Sequence, residues 1–203
     1  LSMLVKETSV KELIELLFRV KDDNKRKEIE KTLVSTCIRS RNKEQSAAKV
    51  VIALKDADIL NKCTLLRVCG CLSGSPGLNA LRDGTKDSEK EIQDTAVRSL
   101  ASYQDQEAIP DQLAYAGNTS NQTYKILLLR GCMKLVDETA NIPADKKIEV
   151  CRNVMGVTDR AEEKMLVISC LGKINTIGSL EILDSFLSDS VLKNAAATAM
   201  LNI

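Results

Sequence analysis

Histidine and tryptophan are absent from this sequence of 203 residues, and proline occurs only three times. Without histidine, neither a Ser-His-Asp nor a Cys-His relay can be assembled, and a common zinc ligand is missing. Glycine is sparse, and Gly70, Gly74 and Gly77 fit neither the Walker nor the dinucleotide phosphate loop. No apolar run approaches the length needed to span a membrane. Neither sign of charge is in excess: 29 basic residues face 28 acidic ones, a formal +1. A dedicated nucleic-acid surface would need a cluster of Lys and Arg, so none is expected. The seven cysteines are odd in number and contain no CxxC, and Cys69-x-Cys71 is the wrong spacing for a zinc knuckle. They are expected to serve as small core hydrophobes with no disulfide, which leans towards a reducing, cytoplasmic compartment without fixing one. No metal and no cofactor are expected.

What is present favours helices. Leu, Ala, Lys, Glu and Ile dominate, and with two Phe and three Tyr the interior must be filled by aliphatic and small side chains. Such side chains let helices approach closely. Asp94-Thr-Ala-Val-Arg-Ser-Leu-Ala-Ser-Tyr103 places Ala96, Val97, Leu100 and Tyr103 on one helix face and Arg98 on the other. Leu65–Leu72 and Leu128–Leu135 repeat the pattern with an arginine, and Val167–Ile174 repeats it without one. The closing apolar residues Leu72, Tyr103, Leu135 and Ile174 are 31, 32 and 39 residues apart. An apolar helix pattern returning at this period predicts an α-solenoid.

Taken in order, the chain reads as about six helix pairs in one domain over 1–203. Leu1, Leu4 and Val5 look like the tail of an earlier helix, so a longer parent chain is expected. Capping boxes are read at Ser9/Glu12 and Ser88/Glu91, and an acidic helix start at Asp159/Glu162, with Glu163 beside it. In the second helix Ile29, Leu33, Val34, Cys37 and Ile38 should face inward. The basic run Lys21–Lys43 is expected to be a solvated face rather than a polyanion site. Asn118-Thr-Ser and Asn121-Gln-Thr match the glycosylation sequon but read better as helix caps.

Asp87-Ser-Glu-Lys-Glu-Ile-Gln-Asp-Thr-Ala-Val-Arg-Ser-Leu-Ala101 resembles a bacterial HEAT repeat, as do Tyr124–Gly131 and Glu162–Gly172 followed by Ser179–Leu183. The likeness extends over 57–203. It implies an all-α, right-handed α-solenoid (armadillo-type) of HEAT-like antiparallel pairs, with second helices lining a concave face. Arg67, Arg98 and Arg130 each lie five residues before the closing apolar residue of their repeat. The resemblance sets these arginines on that concave face, where they could bind an acidic protein partner. The competing reading is that each pairs with a neighbouring acid, as Asp94 with Arg98 at i,i+4.

The expectation is therefore a non-catalytic, protein-binding HEAT scaffold and not an enzyme. Two alternatives stay open. One is an accessory HEAT segment of a larger multidomain bacterial enzyme of sugar-hydrolase type. The other is a HEAT-like alkylpurine DNA glycosylase, against which the lack of tryptophan and of basic charge weighs.

Overall fold

The computed structural model describes residues 8–203, with side chains from Val10 onward. The helix tail expected at Leu1, Leu4 and Val5 lies outside the described residues, and so does the Ser9 side chain of the first capping box. The described residues form twelve α-helices and no strand. They are α1 (Thr8–Arg19), α2 (Asp23–Arg39), α3 (Lys43–Ala53), α4 (Ile59–Gly70), α5 (Ser75–Gly84) and α6 (Lys90–Ala101), then a 3-10 turn at Gln106–Ala108. After it come α7 (Ile109–Asn118), α8 (Gln122–Glu138), α9 (Ala144–Val157), α10 (Ala161–Leu171), α11 (Ile177–Asp184) and α12 (Lys193–Met200).

Two compact units divide the chain, one ending at Asp105 and one beginning at Gln106. Within the first, α1 packs on α2, α3 on α4 and α5 on α6; α2 also packs on α4, and α4 on α6. Within the second, α7 packs on α8, α9 on α10 and α11 on α12, while α10 lies between α8 and α12. Each unit therefore carries a row of even-numbered helices and a row of odd-numbered ones.

Side-chain oxygens start several of these helices. Asp22, Asn42 and Asp58 accept the backbone N–H groups of Lys25, Gln45 and Asn61, and Asn121 accepts from Thr123 and Tyr124. Each bond satisfies an amide that the first turn leaves without an intrahelical partner. Asn121 thus acts as the cap its sequence suggests. The box expected at Ser88/Glu91 does not form: Glu89 is the capping position, without a side-chain bond, and the Asp87 carboxylate takes the Glu89 N–H at 2.9 Å. An Asx turn has claimed the amide in its place. No side-chain cap bond starts α10 either, whose capping residue is Arg160.

The repeated apolar positions are interior. Leu72, Tyr103, Leu135 and Ile174 are all buried, as are Ala96, Val97 and Leu100. Tyr103 satisfies its hydroxyl by donating to the Gly74 carbonyl at 3.0 Å. One stripe differs from expectation. On α2 the buried positions are Arg26, Ile29, Leu33, Thr36 and Cys37, whereas Ile38 is 46% exposed. The inward face is rotated, and it begins with a charge.

Arg26 is 5% exposed. Its Nη1 donates to the carbonyls of Leu17 and Val20 at 2.8 and 3.0 Å, and its Nη2 to Asn61 Oδ1 and Thr64 Oγ1 at 2.8 and 3.2 Å. Leu17 and Val20 lie at the end of α1, where carbonyls lack intrahelical donors and carry the negative end of the helix dipole. Asn61 and Thr64 belong to α4. One guanidinium thus ties three helices together through neutral acceptors.

Glycines set the closest helix approaches. A Cβ on Gly70 at the end of α4 would lie 2.8 Å from Ser99 Cβ on α6. One on Gly172 after α10 would lie 2.9 Å from Ala199 Cβ and 3.1 Å from its Cα on α12. Gly156 on α9 meets nothing within 4 Å. Gly156→Ala is therefore expected to stabilise the protein by up to about 1 kcal/mol, the ordinary helix-propensity gain. Gly70→Ala and Gly172→Ala should instead destabilise by about 1–3 kcal/mol through overpacking. Thermal melts of the three variants check this, and a raised Tm for either of the latter two would refute the close-approach reading.

Candidate functional site

The three arginines singled out in the sequence lie on even-numbered helices and are about half exposed: Arg67 on α4, Arg98 on α6 and Arg130 on α8. Each has an acidic neighbour, but the three arrangements differ. Arg67 forks onto Glu30 of α2, with Nε 3.1 and 3.2 Å from its two oxygens and Nη2 2.9 Å from Oε2. That pairing raises its already high pKa further. Arg98 bonds Asp94 one turn earlier on its own helix at 2.8 Å. Arg130 reaches the following even helix, with Nε 3.0 Å from Glu163 Oε1.

Sequence reasoning puts Glu163 at a helix start, where it lies, but misses its burial and its partners. Its position in the first turn of α10 suggested a role at the helix start. In the fold its side chain is 1% exposed and accepts from two guanidinium groups, Arg130 Nε on Oε1 and Arg160 Nε on Oε2 at 2.7 Å. A buried carboxylate persists only when paired and hydrogen-bonded. Here each oxygen has its own charged donor. Arg160 also pairs with Glu162 at 3.3 Å. No sequence pattern links Glu163 to Arg130, because the contact spans 33 residues.

Arg130 and Glu162 border a groove of about 340 Å³ between α8 and α10. Arg130, Met133, Lys134 and Asp137 line it from α8, and Glu162, Leu166, Ser169 and Cys170 from α10. On α8 the spacing 130, 133, 134, 137 is that of one helix face, and 162, 166, 169 and 170 likewise share one face of α10. A second cross-helix bridge holds the groove, with Lys173 Nζ donating to both Asp137 oxygens at 2.7 and 2.8 Å. That contact raises the Lys173 pKa. The Arg130 terminal nitrogens have no hydrogen-bond partner among the described residues, since Glu163 takes only Nε.

All seven cysteines are free, and six are buried; the exception is Cys71, which is exposed. Burial pushes Cys37 up to about 11, and Cys69 and Cys132 up to about 12, so these thiols stay protonated. Among the described residues, no group of three or more Cys, Asp or Glu is placed to hold a metal ion, and no helix is long and apolar enough to cross a membrane.

No protein-family model matches this sequence, and neither does any curated protein. Among solved structures, the chain is similar to human deoxyhypusine hydroxylase in complex with glycerol. The identity is 14%, the match covers 97% of this chain and 96% of that one, and the TM-score is 0.47. Two expectations are corrected by this finding: that the chain is a non-catalytic, protein-binding scaffold, and that it is not an enzyme. The structure it resembles is an enzyme's, and a fold does not decide between chemistry and scaffolding. At this identity and TM-score no activity passes from the hydroxylase to this chain.

Proposed function

We propose that this chain is an accessory helical-repeat segment serving an enzyme, built of HEAT-like helix pairs, and that it holds a carboxylate-bearing substrate against the arginines of its even-numbered helices. The observation that supports this most is Glu163. By taking one N–H from each of Arg130 and Arg160, it fixes Arg130 at the border of the α8–α10 groove. A guanidinium already held in place loses less freedom when it binds an anion, so more of the interaction appears as affinity. Arg130 keeps its terminal nitrogens for a ligand carboxylate, with which they can form paired, charge-assisted hydrogen bonds. In the first unit, Arg67 and Arg98 are proposed as separate anion contacts, each half exposed beside its acid.

Isothermal titration with a short polyglutamate peptide tests the proposal. The intact chain should bind it, more weakly as salt is raised, because exposed charges are screened over about 10 Å at 0.1 M. Arg130→Gln should weaken binding about tenfold, the loss of one charge-assisted contact worth ~1.5 kcal/mol. Its Tm should fall as well, because the buried Glu163 carboxylate loses one of its two charged donors, so binding is compared at a temperature where both proteins are folded. Equal binding by wild type and Arg130→Gln, or none by wild type, would defeat the reading. So would a large Tm loss with binding intact, which would make Arg130 a brace between α8 and α10.

A further inference from the structure

Ser169 of α10 lines two grooves. On one side lies the α8–α10 groove with Arg130, and on the other a groove of about 530 Å³ between α10 and α12. Small residues open the second one: Gly172 meets Ala199 at close range, and Ala195 lies on the same wall of α12. Its hydrogen-bonding side chains are neutral, namely Ser169, Asn194, Thr198 and Asn202. The amides of Asn194 and Asn202 are exposed and have no side-chain partner among the described residues. Thr198 Oγ1 donates to the Asn194 carbonyl at 2.9 Å and keeps its lone pairs as acceptors. Lys173, the cation among the lining residues, is taken by Asp137. Between the grooves α10 exposes two apolar side chains, Leu166 lining the first and Met165 the second.

From this arrangement we infer that the substrate held by Arg130 is a chain with a single carboxylate and an uncharged, amide-bearing body, which crosses α10 at Ser169 and lies in the α10–α12 groove. The inference rests on the reading of Arg130 as the carboxylate contact. Charge limits the carboxylates to one. In the first groove Lys134 pairs with Glu138 at 3.8 Å and Lys173 with Asp137, which leaves the terminal nitrogens of Arg130 for an anion. Asp137 and Glu162 put negative charge on the same walls, so a second carboxylate is opposed. In the second groove an ion would lose water without gaining a free counter-charge. Carboxamide and hydroxyl side chains instead donate and accept, as a chain of amides does. Apolar parts of the chain can rest on Leu166 and on Met165, whose thioether side chain adapts to varied shapes. Distance sets the length. Neighbouring helices lie about 8–10 Å apart, and an extended chain covers that step in about three residues. The carboxylate and the amides that meet Asn194 are therefore about three residues apart.

The test is an NMR titration of the isotope-labelled full chain with capped probes. They are acetyl-Glu-amide, acetyl-Glu-Leu-Gly-Ser-Gly-amide, its reverse acetyl-Gly-Ser-Gly-Leu-Glu-amide, and acetyl-pentaglutamate-amide. One of the two single-carboxylate peptides should bind about tenfold tighter than acetyl-Glu-amide, the worth of one or two added hydrogen bonds. It should also bind tighter than pentaglutamate, and shift amide signals of α12 as well as those of α8 and α10. Asn194→Ala combined with Thr198→Leu, both at exposed positions, should return that peptide to the affinity of acetyl-Glu-amide. The affinity of acetyl-Glu-amide itself should not change in the double variant. Arg130→Gln should weaken every probe. Equal binding of short and long probes, tightest binding by pentaglutamate, or a length gain that survives the double variant would each overturn the inference and leave Arg130 as a carboxylate contact. Affinities unchanged by Arg130→Gln, or no binding by any probe, would overturn that contact and the inference with it.

Discussion

Arg26→Ala should lower the unfolding free energy by about 3–5 kcal/mol, measured as a shift of the urea midpoint at unchanged slope. The side chain makes four hydrogen bonds at 2.8–3.2 Å in a site that is 5% exposed. Removing it strands the Leu17 and Val20 carbonyls and the Asn61 side-chain oxygen. Each stranded acceptor carries its own desolvation penalty of about 1–3 kcal/mol. Thr64 is the least affected, since its hydroxyl also donates to the Leu60 carbonyl. Arg26→Lys should recover little of the loss, because an ammonium lacks the planar fork that reaches two helices at once. A midpoint shift for Arg26→Ala equivalent to less than about 1 kcal/mol would show that water replaces the guanidinium at low cost.

Leu100→Ala is expected to cost about 2–5 kcal/mol, the range for truncating a buried leucine. Leu100 is 1% exposed on α6, which packs against both α4 and α5. The glycine contact between Gly70 and Ser99 already holds α4 and α6 at close range. Little room is left for the helices to collapse onto a new cavity, which argues for the upper part of that range. Calorimetry of the variant checks it; a melting transition that neither shifts nor splits would remove Leu100 from the core.

The helical period was readable because it repeats, and the closing apolar residues Leu72, Tyr103, Leu135 and Ile174 are all buried. Arg26 was not readable. On the sequence it lies in a basic run, and only its place one turn before Ile29 marks it as inward; the acceptors that hold it lie partly on α4, 35 and 38 residues away. Glu163 was hidden for a similar reason. A carboxylate in a first turn already has a sufficient local explanation, and what buries it is a guanidinium 33 residues earlier. Periodicity tells which face of a helix is turned inward. It does not tell which polar group on a neighbouring helix has been placed to meet an intruding charge.

In each unit the three even-numbered helices are joined in two different ways. The α2–α4 and α8–α10 joints carry ion pairs, Arg67 with Glu30 and Arg130 with Glu163. The α4–α6 and α10–α12 joints are instead set by glycine, Gly70 on Ser99 and Gly172 on Ala199. The charged joints also run in opposite senses, Arg67 reaching back along the chain and Arg130 reaching forward. This restricts how such a chain can be lengthened or shortened. Excising one helix pair from within a unit would set a face built for a charged partner against one built for a close backbone approach. A change of length that keeps both kinds of joint has to leave each unit's three even-numbered helices intact.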